Sequence, residues 1–265
     1  MITSNAMFHG MSIYVCSDLL QFFVLHILPK ITCLFVLVSG DSDLCVPRES
    51  LTQPETLTLV NNPKLLKWFA QNTRLQQHPK IIQLPIGLDY HTISTNPQHL
   101  WKKEGEGHLP LQQEEILVNL RKQMKPFYER NPMIYLHFSM NSDRFQQRKT
   151  SLHEIREDLI FRENGSLKRT DCWEQISQYA FVLSPFGVGM DCHRTWEALC
   201  LGAIPIVKAP DFTEMFEGLP VLIVKEWSDI TRELLEKTMR DFKERNFQYE
   251  KLSLMHWVNR IRQPK

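Results

Sequence analysis

Short apolar runs alternate with polar, charged stretches along most of the chain. Residues 13–28 (IYVCSDLLQFFVLHIL) place apolar side chains at helical spacing, with Ser17 or Asp18 able to cap the start. The next run, Ile31 to Val38, is continuous and β-branched, as suits a strand buried on both faces. It ends in Ser39-Gly40-Asp41-Ser42-Asp43, a polar turn of the kind that carries chemistry at strand ends of α/β proteins. Lys64 to Gln71 reads as a short helix. Lys80 to Leu84 reads as a strand delivering Pro85-Ile86-Gly87-Leu88-Asp89 to a further loop. Pro97, Gly105, Gly107 and Pro110 mark an exposed connection from Thr95 to Pro110, and a helix is expected from Gln112 to Met124.

After a break over residues 125–132 the alternation restarts. Met133 to Phe138 reads as a strand ending in Ser139-Met140-Asn141-Ser142-Asp143, before a charged helical stretch that opens near Arg148. Helix is expected over Asp171 to Ser177 and Asp191 to Leu201, and strand over Tyr179 to Leu183, Ala203 to Val207 and Pro220 to Val224. Asp229 to Ile261 is helical by composition and able to pack back across the molecule. Strands alternating with helices imply mainly parallel sheets covered on both faces. The expected fold is α/β: two Rossmann-like lobes, residues 1–130 and 131–265, with a cleft between them.

Composition narrows the partners. Thirty-one Lys plus Arg against thirty Asp plus Glu leave a formal charge of +1, so the chain carries no global electrostatic footprint for nucleic acid. Six cysteines show no C-x-x-C pair and no zinc-ribbon spacing; reduced, mostly buried thiols are expected. Cys192 and Cys200 would share one helix about 12 Å apart, too far for a disulfide. The apolar stretch from Leu19 to Val38 is long enough to span a bilayer, but Gln21, His26, Pro29 and Lys30 interrupt it, and no secretory signal pattern precedes or follows it. The expectation is a cytoplasmic protein, with membrane association through residues 19–38 as the alternative.

The most informative segment is SPFGVGMDCHRTWEALCLGAIPIV, from Ser184 to Val207. Ser184-Pro185-Phe186-Gly187-Val188-Gly189-Met190 joins a strand to a helix. Gly187 and Gly189 let backbone approach a ligand closely, and the free amides and positive dipole end of the helix favour an anion such as diphosphate. Along the helix, Cys192, Trp196 and Leu199 follow a buried stripe, while Asp191, His193, Arg194 and Glu197 occupy other positions. Arg194 and Glu197 lie one turn apart. They are placed either to pair with each other at the surface or to offer a cation to phosphate and a carboxylate to ribose hydroxyls. The preceding glycine loop and the following buried strand favour the second reading.

This segment resembles the donor-site signature of the exostosin-like glycosyltransferases, within the broader GT-B class. The order of elements around it resembles the compact exostosin-like proteins of large DNA viruses and some microbial eukaryotes. The resemblance covers about a tenth of the chain, so acceptor recognition by the short first lobe is not part of it. It implies transfer from a nucleoside-diphosphate sugar, a UDP-sugar first among them, to a glycan or other hydroxyl acceptor, with inversion and without a required metal or other cofactor. By the same resemblance Arg194 faces the diphosphate and Glu197 the ribose, and Arg148, or less well Arg144, reaches the donor phosphates from the loop that opens the second lobe. Ser184, Gly187, Gly189, Asp191 and His193 complete the expected donor set.

Inverting transfer also needs a base for the acceptor hydroxyl, and Asp41 or Asp43 is a candidate from the loop after the first lobe's strand; a self-bonded Asx turn is the alternative. Asp89 fits a turn or cap. Trp68, Trp101, Trp173 and Trp227 read as core or rim residues. Two rivals remain. A nicotinamide-dependent oxidoreductase would explain Gly187-Val188-Gly189, although Cys192 stands at the third glycine position of that fingerprint. The other is a non-catalytic nucleotide-sugar-binding partner subunit.

Overall fold

The computed structural model describes residues 10–73, 78–163, 165–208 and 213–263. Two all-parallel sheets organise them. In the first lobe, β1 (Met11–Cys16), β2 (Phe35–Gly40), β3 (Leu65–Ala70) and β4 (Ile81–Gln83) lie in sequential order. Helix α2 (Gln53–Val60) connects β2 to β3, and α3 (His91–Thr95) and α4 (Pro110–Gln123) come between β4 and the second sheet. The second lobe contains β5 (Asn131–Leu136), α5 (Gln147–Glu154), β6 (Ile160–Arg162), α6 (Arg169–Ile176), β7 (Tyr179–Leu183), α7 (His193–Cys200), β8 (Ile204–Val207) and β9 (Leu222–Ile223). Its strand order is β6-β5-β7-β8-β9. Two helices, α8 (Arg232–Lys243) and α9 (Leu254–Arg262), end the described chain.

Three sequence expectations are corrected. Residues 13–16 belong to strand β1 rather than to a helix: Ser12 and Tyr14 face out while Ile13 and Val15 pack on the first core, a period of two at a sheet edge. Helix follows it directly, so the two periodicities fuse in the sequence. That helical run, residues 17–30, changes pitch from 3-10 (Ser17–Leu19) through α1 (Leu20–Phe22) and a π stretch (Phe23–Ile27) to a final 3-10 turn at Leu28–Lys30. Residues 65–70 form a strand, not a helix. Leu65, Trp68 and Phe69 do satisfy helical spacing, but a six-residue run that is buried between β2 and β4 has the length and environment of an inner strand. The expected C-terminal helix divides into α8 and α9, capped by the side chains of Thr231 and Ser253 respectively.

Each sheet has its own apolar core. In the first, Leu20, Phe23, Phe35, Leu37, Leu59 and Trp68 pack together. In the second, Ile134, Phe181, Ile204 and Ile206 pack against Trp227 and Leu235. Helix α4 precedes residue 131, yet Leu117 on it packs with Tyr135, Trp173 and Ala198 of the second lobe. The chain therefore reaches the second core about one helix before β5. No helix among the described residues is long and apolar enough to cross a membrane. All six cysteines are free thiols.

The second sheet's order reverses direction between β5 and β7. In doubly wound sheets a crevice opens outside the carboxyl ends of the strands at such a reversal, because the connections leave in opposite directions. Here β5 runs into residues 137–146 and β7 into residues 184–192. The loops after β2, β3 and β4 of the first lobe approach the same edge.

Candidate functional site

A cleft of about 890 Å³ lies at this junction. Second-lobe residues Arg148, Gly187, Gly189, Asp191, His193, Arg194 and Glu197 line it, together with Asp43 and Asp89 from the first lobe. Of the residues expected from sequence, Asp41, Arg144 and Ser184 stand outside its lining. Asp41 has a left-handed backbone (φ 55°) and makes its contacts away from the cleft, its carboxylate accepting from the Cys16 thiol at 3.9 Å and its amide donating to the Gln71 side-chain oxygen at 3.1 Å. Arg144 forms a two-bond pair with Glu49, which neutralises it. Ser184 is buried and shares a 2.7 Å hydroxyl hydrogen bond with Thr195, joining the end of β7 to α7.

Gly187 and Gly189 leave space for the side chains that rest against the loop. Neither has a positive φ. A Cβ on Gly187 would collide with the Arg148 guanidinium, and one on Gly189 would lie 2.9 Å from Asp43 Oδ1 and 3.2 Å from the Asn72 side chain. The loop is thus a surface on which a cation and a first-lobe carboxylate come to rest against bare backbone. Four loop amides are committed: Ser184 donates to the Ile206 carbonyl at 2.9 Å, Phe186 to Gln147 Oε1 at 3.1 Å, Gly187 to the Gly189 carbonyl at 3.0 Å and Asp191 to Asn72 Oδ1 at 2.9 Å. Thr195 closes the first turn of α7 on the Cys192 carbonyl. The amides left at the helix start are those of His193 and Arg194, so the anion-binding backbone is narrower than the sequence implied.

The guanidiniums are the site's main electrostatic feature. Arg194 donates through Nε to the His137 carbonyl at 3.2 Å and through Nη1 to the Pro185 carbonyl at 3.5 Å. Arg148, 6% exposed, donates to the carbonyls of Ser139 and Phe186. Both lie on the Phe138 ring, 5.1 and 5.4 Å from its centroid. Burial, then the neighbouring Arg194 charge, pull the Arg148 guanidinium below its ordinary pKa. Among the described residues neither arginine forms a salt bridge, and Arg194 and Glu197 do not pair with each other. The surface-pair reading is therefore not what α7 adopts. Two guanidiniums at the sheet's switch point, with no carboxylate partner among the described residues, make this part of the cleft able to attract an anion.

Glu197 stands one turn further along the cleft wall, half-buried. Next to it His137 holds Cys172 Sγ 3.4 Å from its Nδ1; burial and the Arg194 charge lower the imidazole's pKa. Burial pushes the Cys172 thiol up to about 12, which keeps it protonated and unreactive.

Asp191 and His193 do different work from that expected of donor-facing groups alone. Asp191 is 4% exposed; its Oδ2 accepts from the Ile86 amide at 2.7 Å and its Oδ1 from the Trp196 indole at 2.8 Å. Burial pushes its carboxyl up to about 6, held from rising further by those two donors. His193 Nδ1 sits 2.7 Å from the Gly87 carbonyl. A carbonyl only accepts, so Nδ1 carries a proton, and in the neutral ring Nε2 is the acceptor. Both residues thus tie the segment after the Gly187–Gly189 loop to the first-lobe loop after β4.

Two residues of the site, Asn72 and Arg169, were not singled out in the sequence. Asn72, fully buried with φ 51°, donates to the Ser42 carbonyl at 3.0 Å and accepts from Asp191 N, bridging the lobes. Its signal in the sequence is its place just after the apolar run of β3, a run whose spacing also fits a helix. Arg169 pairs with Asp89 at 3.1 Å and donates to Gln113 Oε1 at 2.8 Å. Burial alone would raise the Asp89 carboxyl, but the Thr92 amide, its side chain and Arg169 hold it below its ordinary value. Trp101 is 41% exposed on the cleft wall, whereas Trp68, Trp173 and Trp227 are core residues at 0–2%. Among the described residues no group of three or more His, Cys, Asp or Glu side chains is arranged to hold a metal ion. No protein-family model matches the chain, and no curated protein matches it either.

Proposed function

We propose that the protein is a glycosyltransferase of GT-B architecture that moves a sugar from a nucleoside diphosphate, UDP first among the candidates, to a hydroxyl acceptor with inversion. The observation that carries the reading is the pair Arg148 and Arg194, free of carboxylate partners among the described residues, beside the bare backbone of Gly187 and Gly189. The resemblance of Ser184 to Val207 to the exostosin-like signature selects a nucleotide sugar among possible anions.

In this mechanism the diphosphate rests against the two guanidiniums and the amides that open α7, and Glu197 accepts hydrogen bonds from the ribose hydroxyls. Asp43 is the base of choice over Asp41, because it alone of the two lines the cleft. It takes the acceptor proton as the acceptor oxygen bonds to the anomeric carbon and the bond from that carbon to phosphate breaks. The charge developing on the departing diphosphate is met by Arg148 and Arg194, which are positioned before the reaction begins.

Arg194→Ala is expected to weaken binding of UDP or the preferred nucleoside diphosphate by about 10- to 100-fold, the scale of a lost charge-assisted contact. Glu197→Gln, which keeps shape, is expected to weaken it by about threefold to tenfold. Calorimetric titration of each variant measures both. If both variants bind as tightly as the wild type, the donor assignment is wrong. A thermal-shift panel in which NAD stabilises the protein and no nucleoside diphosphate does would replace it with the oxidoreductase reading.

A further inference from the structure

Trp101 stands apart from the other tryptophans. The chain has six; the remaining five are 0–7% exposed, while Trp101 is 41% exposed and lies on the wall of the cleft. It sits on the long connection between α3 and α4, a segment whose neighbour Leu100 is 76% exposed. The connection is nevertheless fastened to the start of α6. The Arg169 amide donates to the Trp101 carbonyl at 2.7 Å, Lys168 Nζ donates to the Leu100 carbonyl at 2.9 Å, and Lys103 pairs with Asp171 at 2.5 Å. The Arg169 guanidinium lies 5.4 Å from the indole centroid, and the His99 ring meets the indole at 76° with centroids 4.7 Å apart. The segment that carries the ring is therefore fastened to α6, and the ring itself meets Arg169 and His99. Arg169 is itself fixed by Asp89 and Gln113.

The order of groups along the cleft gives this ring a role. From the Gly187–Gly189 loop, α7 presents Arg194 and then, one turn on, Glu197. The Cys172 thiol feels the charges of both Glu197 and Arg194, and so does His137 beside it. Cys172 lies on α6 three residues after Arg169, with Arg169, Cys172 and Trp173 all on the cleft lining. The Tyr90 hydroxyl likewise feels both Glu197 and Arg169. Arg194 reaches the His137 carbonyl at 3.2 Å, His137 Nδ1 lies 3.4 Å from Cys172 Sγ, and Tyr90 packs in one cluster with Cys172 and Ala198, so Glu197, Arg169 and Trp101 share one wall of the cleft. The sequence of features is guanidiniums, carboxylate, indole; that of a nucleoside diphosphate is phosphates, ribose, planar base. The cleft volume of about 890 Å³ accommodates all three with space for a sugar.

We infer that the exposed indole of Trp101 is the stacking platform for the heterocyclic base of the nucleotide. This inference rests on the donor-site reading above and adds to it the subsite for the base. Aromatic stacking is tolerant of base identity, so Trp101 supplies affinity, and discrimination between bases comes from polar groups at the ring edge.

Calorimetric titration of wild type, Trp101→Ala, Trp101→Phe and Arg194→Ala with UDP, CDP, ADP, GDP and inorganic pyrophosphate tests it. Trp101→Ala is expected to weaken the tightest nucleoside diphosphate about tenfold and to leave pyrophosphate affinity unchanged, while Trp101→Phe stays within about threefold of wild type. Arg194→Ala is expected to weaken nucleotide and pyrophosphate alike. Wild-type nucleotide affinity in Trp101→Ala, with binding lost in Arg194→Ala, overturns the base platform and leaves the donor site standing. An equal loss of pyrophosphate in Trp101→Ala also overturns it, since the substitution would then act by disturbing the cleft. If the wild type binds none of the four nucleotides, both readings fall.

Discussion

Replacing Asp43 with Asn is expected to lower the rate of sugar transfer by about 10²- to 10⁴-fold, the range associated with loss of a general base. The substitution changes little else. Asn is isosteric with Asp, and the Asp43 side chain is exposed at the cleft, where it rests against Gly189 at the tip of the donor loop. A carboxylate beside the anion site repels a bound diphosphate, so nucleotide affinity in Asp43→Asn is expected to stay the same or tighten. Steady-state kinetics with calorimetry separates the two effects: kcat falls while the nucleotide Kd does not rise. Asp41→Asn is the internal comparison, expected to stay within about threefold of wild type, because Asp41 turns to Cys16 and Gln71 and is absent from the cleft lining. Unchanged transfer in Asp43→Asn would remove it as the base and direct attention to His193, whose Nε2 is the other acceptor tied to both lobes.

The second lobe was legible because its elements are separated by clear polar breaks. Tyr179 to Leu183 is a strand as read, and α7 begins two residues after its expected start. The first lobe was less so. At β1 an edge strand runs into a helix without a turn, and at β3 a buried strand of six residues carries apolar side chains at helical spacing. Local pattern cannot separate such cases, since neighbouring strands decide them. The same holds within the site. Arg194 and Glu197 stood out through their spacing on one helix. The environments of Arg144 and Arg148 did not, because whether a guanidinium meets Glu49 or only carbonyls depends on residues nearly a hundred positions away or on another strand's loop. Trp101 read as core or rim for a like reason: its exposure is set by where α6 fastens its loop.

Asp191→Ala is expected to destabilise the protein by about 3–5 kcal/mol at pH 5, lowering Tm by roughly 10 °C, because the Ile86 amide and the Trp196 indole both lose their acceptor in a buried place. The pH dependence of that loss decides between two opposed effects at this carboxyl. Burial favours the neutral acid, and the two donors favour the carboxylate; burial wins, with the folded group raised to about 6 from an ordinary value near 3.9. A raised pKa means that the folded state holds the proton more tightly than the unfolded chain. The stabilisation is fully present below about pH 4 and is lost as pH rises through 6, by up to about 3 kcal/mol for a shift of two units. The alanine variant lacks this group, so the stability gap between wild type and Asp191→Ala is expected to narrow from pH 5 to pH 7. Denaturant titrations at both pH values measure it. A gap that widens over that interval would show that the Ile86 and Trp196 donors outweigh burial, and that the carboxylate is the form the fold prefers. In either case the variant loosens the tie between the donor loop and the first lobe, so nucleotide affinity at pH 7 is expected to fall with stability. On the proposed reading Asp191 acts on the anion site through the position of α7, without touching the anion itself.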